Sequence, residues 1–145
     1  MTLGEQALTF RETFRQKVLD NISRYGIIDK ELWEMQLCLI REETDELFEA
    51  ADELYADPEN HDRRVEFVKE LADSVFVHFQ LAAAYNIDLD KALDLVFQSN
   101  MSKLDDNGKP IFRADGKVLK GPNYQEPDLT YCPPMPNLHY DTHGK

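Results

Sequence analysis

The stretch REETDELFEAADELYADPENHDRRVEFVKELADSV, residues 41–75, reads as two amphipathic helices folded back on one another at Asp57-Pro58. Proline lacks the N–H that a helix needs and disfavours helical backbone in the residue before it, so one helix must stop there and another begin. Glu46 and Glu70 lie twelve residues from Pro58 on either side, and Glu43 and Asp73 lie fifteen. At about 1.5 Å of rise per residue, both acidic pairs stand roughly 18–22 Å from the turn, and a spacing of three keeps each pair on one helix face. Four carboxylates are therefore expected at one height of a helical hairpin, where they repel one another unless cations enter.

Their register separates them from an ordinary wet face. Stepping from Leu39 by four, three and four residues reaches Glu43, Glu46 and Ala50, and the stripe of Val77, Leu81 and Ala84 projects backward onto Asp73 and Glu70. These four acids occupy a seam that otherwise packs core. Asp45, Glu49 and Glu53 read as solvated surface. Glu42 flanks the seam without belonging to it.

Around this hairpin the chain reads as all-α. Leu8, Phe10, Phe14, Val18 and Ile22 recur near helical period and predict a first helix from about Glu5 to Arg24, with Gly26 able to end it. The second helix is expected from about Asp29 to Tyr55 and the third from near Asn60. Asp88 is placed to cap a fourth that carries Leu89, Ala92, Leu93, Val96 and Phe97 on its apolar side. Beyond Leu104 the composition changes: Asp115-Gly116 between Ile111-Phe112 and Val118-Leu119 is a hairpin signal, followed by a tail rich in Pro, Asn and Tyr. The expectation is a four-helix bundle-like subunit, with residues 1–104 as the helical part that carries the acidic seam and 105–145 as a C-terminal hairpin and extended tail of the same domain.

Composition narrows the setting. At 145 residues and 42% hydrophobic, with no long uncharged apolar run, the chain suits one domain with a core and no membrane span. Met1–Gln6 carries no basic segment followed by an apolar one, which points to the cytoplasm. Cys38 and Cys132 show neither disulfide nor zinc spacing and read as reduced thiols. A net charge of −12 leaves no broad basic surface for a nucleic-acid polymer.

Opposed carboxylates in a helical core must be protonated, paired or metallated, because bare anions are costly to desolvate. Oxygen-only ligands favour hard cations, Mg²⁺ above all with Mn²⁺ as the substitute, and Mg²⁺ characteristically bridges a few carboxylates to substrate phosphates. The absence of His from both clusters weighs against a di-iron site of the Glu-x-x-His kind. Glu43, Glu46, Glu70 and Asp73 are thus the candidate metal ligands. Glu42, beside them, suits a general base for an attacking water.

Glu42-Glu43-x-x-Glu46 followed by Glu70-x-x-Asp73 resembles the signature of the all-α NTP pyrophosphohydrolases, the MazG-like proteins and their dimeric dUTPase relatives. Asn100-Met-Ser-Lys103 and Arg113-Ala-Asp115-Gly116-Lys117-x-Leu-Lys120 are similar to the C-terminal segment of MazG-like members that hydrolyse dUTP. The resemblance spans roughly residues 30–128. It implies cleavage between the α and β phosphates of a nucleoside triphosphate, giving a monophosphate and pyrophosphate, with Asn100, Lys103, Asp115 and Lys117 at the substrate. Each of these also has a structural use: a Lys can serve a helix terminus, Asp-Gly a turn, and Asn100 a core hydrogen bond.

The substrate expected is a (deoxy)nucleoside triphosphate, dUTP or a noncanonical one among them. The alternatives are phosphoribosyl-ATP, hydrolysed by a similar helical family, and a non-catalytic helical module whose acidic seam binds a cation. Four helices and a long tail leave a small core for one subunit, so a homodimer or dimer of dimers is expected.

Overall fold

Four helices and one two-stranded hairpin make up the computed structural model, which describes residues 1–19 and 29–130. The architecture is all-α. By internal packing it falls into two compact units, Met1–Ile87 and Asp88–Pro133, as far as they are described.

The first unit holds α1 (Leu3–Thr13), α2 (Lys30–Ala56) and α3 (His61–Ala84), with α2 and α1 each packed on α3. Polar caps define the ends. Thr2 and Glu5 form a reciprocal capping box, Asp29 accepts from the Leu32 amide at 3.1 Å, and Asn60 accepts from the amides of Asp62 and Arg63. Asp57 leaves the helical region at φ −144° as the residue before Pro58, so α2 and α3 are joined by a four-residue turn. Small side chains let the helices approach closely: Ala7, Ala83 and Ala84 are fully buried, and Ala50 and Ala82 nearly so.

α1 is shorter than its apolar period predicts. The helix stops at Thr13, Phe14 caps it, and Arg15 takes a left-handed φ of +53°. Tertiary contacts turn the chain: the buried Arg11 guanidinium donates to the Lys17 carbonyl at 2.7 and 3.0 Å and to Gln80 Oε1 at 3.3 Å, while the Leu19 amide donates to the Ala84 carbonyl. Val18 is therefore non-helical; Ile22, Arg24 and Gly26 lie outside the described residues. Gln80 also donates to the Ala7 carbonyl, so one polar relay couples α1, the following turn and α3. At this same C-terminal end of α3, Tyr85 is buried against Trp33 with ring centroids 5.3 Å apart, and its hydroxyl donates to the Asp29 carbonyl.

The second unit contains α4 (Leu89–Met101), capped by Asp88, and the strands β1 (Ile111–Phe112) and β2 (Val118–Leu119), which pair antiparallel with Ile111 opposite Leu119. Gly116 sits at φ +88°, the left-handed position in the Arg113–Lys117 connection, where its amide donates to the Arg113 carbonyl. The end of α4 is tied to the segment after the hairpin: Gly121 donates to the Lys103 carbonyl, Ser99 Oγ to the Gln125 carbonyl, and the Gln125 amide to Ser102 Oγ. These bonds place α4, read from the sequence with the helical part, in the same compact unit as the hairpin. Of the Pro-rich tail, residues 131–145 lie outside the described residues. Among the described residues no helix is long and apolar enough to cross a membrane.

Arg11→Met should remove the relay at Gln80 and Lys17 and strand their acceptors in a buried site. A loss of about 2–3 kcal/mol in urea denaturation is expected, larger than for Arg64→Met on the exposed side of the α2–α3 turn.

Candidate metal centre

Two helix turns from α2 and one from α3 bring three carboxylates to a point. Glu43, Glu46 and Glu70 each offer an oxygen within 4.8 Å of the others. The shared distance of Glu46 and Glu70 from Pro58 is realised as spatial proximity, with Glu43 one helical turn along the same face. Burial is graded: Glu70 is 3% exposed, Glu43 is half-buried and Glu46 faces solvent.

The buried side of this trio lacks partners. Glu43 Oε2 and Glu70 Oε2 are buried with no hydrogen-bond partner. Burial pushes the Glu43 carboxyl above its ordinary range, helped by the charges of Glu46, Asp73 and Glu70. Glu70 is held down, chiefly by the hydrogen bond from the Lys69 ammonium at 2.5 Å, against the opposing cost of its burial. Orphaned carboxylate oxygens facing one another, with no nitrogen or sulfur donor among them, fit a hard divalent cation.

The other predicted residues are placed differently. The Asp73 carboxylate turns to Lys69 Nζ at 3.3 Å instead of joining the trio, although it is close enough to raise Glu43. Its residue also borders an apolar groove of about 490 Å³ between α1 and α3, with Leu3, Gln6, Val68 and Phe76. Glu42 is exposed and accepts from Cys38 Sγ at 3.5 Å, one turn upstream on its own helix. Glu49 and Glu53, read from the sequence as wet surface, line an acidic groove of about 570 Å³ with Glu46, Arg63, Glu66 and Glu70, and Glu53 pairs there with Arg63.

Asn100, Lys103, Asp115 and Lys117 belong to the second unit. Asn100 and Lys103 line a cavity of about 430 Å³ with Phe97, Leu104, Pro110 and Val118. Asp115 serves the local structure, since Arg113 grips its carboxylate at 2.8 and 2.5 Å and it accepts from the Lys117 amide at 3.2 Å. It shapes the turn that presents Lys117. The residue that sequence reasoning missed is Lys69; its i,i+4 relation to Asp73 and its place beside Glu70 were the available signals.

The fold and this centre define a class: an all-α protein with a helical hairpin whose facing carboxylates suit a cation. The chain matches the family model of phosphoribosyl-ATP pyrophosphohydrolase over residues 8–100 and belongs to that family, part of the all-α NTP pyrophosphohydrolase superfamily to which the MazG-like proteins also belong. The family consists of metal-dependent pyrophosphohydrolases, hydrolases of acid anhydrides. No curated protein matches the chain.

Because the Glu43 carboxyl is raised above its ordinary 4.5, the folded state holds that proton more tightly than the unfolded chain. With metal chelated, its contribution to stability is full below 4.5 and is lost as pH rises through the raised value. Glu43→Gln should therefore raise the metal-free Tm at pH 7 by about 2–4 °C. In the same thermal melts a divalent cation should raise the Tm of the unaltered chain and not that of Glu43→Gln.

Proposed function

We propose that the protein is a Mg²⁺-dependent pyrophosphohydrolase that cleaves the α–β phosphoanhydride of a (deoxy)nucleoside triphosphate, dUTP or a noncanonical one among them, releasing a monophosphate and pyrophosphate. The observation that carries this reading is the buried, unpartnered oxygens of Glu43 and Glu70 facing Glu46 in a member of a pyrophosphohydrolase family. Glu43, Glu46, Glu70 and Asp73 are assigned to Mg²⁺, with Mn²⁺ as a substitute. When bound, the ion would neutralise triphosphate charge and make water a stronger acid.

The chain's own residues supply the rest. Glu42, adjacent in sequence to Glu43 and in contact with solvent, is assigned to take the proton of the attacking water. Asn100, Lys103 and Lys117 are assigned to the phosphates, with Asp115 holding the turn that carries Lys117. Their support is chemical: ammonium groups offset the charge that a triphosphate adds to a chain of net charge −12.

A second reading, phosphoribosyl-ATP as substrate, is favoured by the family match itself. The nucleoside triphosphate reading rests on Lys103 and the 113–120 hairpin, which lie beyond the matched residues 8–100. Product analysis with Mg²⁺ over dUTP, other nucleoside triphosphates and phosphoribosyl-ATP separates the two. Monophosphate plus pyrophosphate from one substrate, reduced at least about 100-fold in Glu46→Gln, is the expected result. No turnover on any of them, with Mg²⁺ still raising the Tm, would leave the non-catalytic cation-binding module as the better reading.

A homodimer or dimer of dimers is part of the proposal. Phe48, Val65, Val68, Leu71 and Val75 are 42–65% exposed on α2 and α3, more apolar surface than two helices of a monomer ordinarily leave to water. Light scattering should return at least twice the 16.8 kDa chain mass, and Val68→Glu should shift that mass toward the monomer.

A further inference from the structure

Lys69 stands where a cation belongs. Its ammonium lies 2.5 Å from Glu70 Oε1 and 3.3 Å from Asp73 Oδ2, so one lysine spans two of the four acids assigned to metal. The two ends of the first pair differ sharply in surroundings: the Lys69 side chain is 57% exposed, and that of Glu70 only 5%. A long, solvated side chain thus neutralises a buried carboxylate from the outside. It serves one oxygen of Glu70, while Glu70 Oε2 and Glu43 Oε2 stay without a partner on the inner side.

The arrangement suits exchange better than permanence. Lysine N-terminal to the acid at i,i+4 is the weaker order for a helical ion pair, and a half-exposed ammonium is screened by water. An ammonium carries one charge and three donors, whereas a divalent cation carries two charges and accepts six or more oxygens. Asp73, as far from Pro58 as Glu43, has its carboxylate taken by Lys69 and is the acid missing from the trio.

Resting on the metal-site reading above, the geometry points to Lys69 as a tethered counter-cation of the centre, which holds Glu70 and Asp73 when metal is absent and yields them when a divalent cation enters. Lys69 is a positioning residue: it keeps facing carboxylates from driving α2 and α3 apart, and it competes with the ion for the charge of the same carboxylates, Glu70 and Asp73. Metal entry then frees Asp73 to turn toward Glu43, Glu46 and Glu70. The apparent metal affinity of the protein is set below that of the bare carboxylates by the strength of this competition.

The test is Mn²⁺ binding to chelator-treated full-length protein without nucleotide, read from the electron paramagnetic resonance of free Mn²⁺ and paired with thermal melts. Lys69→Met should bind Mn²⁺ about three- to tenfold more tightly, with a lower metal-free Tm and a larger Mn²⁺-induced rise, while Lys69→Arg should restore competition. Arg63→Met, which removes a charge from the same acidic groove but not from Glu70 or Asp73, should change affinity by less than about twofold. Equal affinity in the unaltered chain and Lys69→Met overturns the inference, even if the metal-free Tm falls, because that leaves Lys69 a structural ion pair. Equal tightening in Arg63→Met also overturns it, by reducing Lys69 to one charge among several. Loss of binding in Glu46→Gln confirms the metal centre separately, and absence of Mn²⁺ binding in every protein overturns that reading and the inference together.

Discussion

Carboxylates that face each other across a helix–helix seam are the constraint on which this structure turns. Glu43 and Glu70 present oxygens to the interior with nothing to satisfy them, and Glu46 adds a third charge at the rim. Apolar packing elsewhere in α1–α3 has to hold α2 and α3 together against that repulsion. Ala82, Ala83 and Ala84 with the Tyr85–Trp33 contact do this at the end of the hairpin away from the turn, and Ala50, Asn60 and the Arg63–Glu53 pair do it on the turn side. The acids lie between two secured ends, where backbone position is dictated by neighbours and not by the acids themselves. The electrostatic cost of bringing these acids together is carried by the fold.

Lysine and metal are two solutions to the same problem. A carboxylate as buried as Glu70 is costly as an isolated anion, and the structure relieves it with an ammonium that reaches in from solvent. That choice leaves room for a better partner, because the inner oxygens remain open. An acidic groove continues from the trio toward the α2–α3 turn, so the surroundings favour cations well beyond the three ligand atoms.

Legibility from sequence followed the range of the interactions. Helix ends at Asp29, Asn60 and Asp88 were readable because capping acts over three residues, and the 111–119 hairpin because Asp-Gly turns act over four. The twelve-residue symmetry of Glu46 and Glu70 about Pro58 was readable because helical rise is constant. α1 was overextended: its apolar period continues past Thr13, but the buried Arg11 captures the Lys17 carbonyl and turns the chain, a contact that depends on α3 being present. Asp73 shares the register of Glu43, but its carboxylate pairs with Lys69 one turn upstream on its own helix, and pairing with an ammonium is favoured over facing three more acids. Glu42 was readable as a flanking acid, and its exposure and its contact with Cys38 follow from that position.

By itself the sequence determined which acids could meet, since heptad-scale periodicity and one proline set their height and face. It also determined the all-α class and the position of every helix start in the described residues beyond α1, through local caps and breakers. Tertiary structure alone decided how deeply each carboxylate is buried, which oxygens go without partners, and that Lys69 holds Glu70 and Asp73. The division has one physical cause: backbone geometry is a property of consecutive residues, whereas desolvation and charge pairing depend on what other segments bring within a few ångströms.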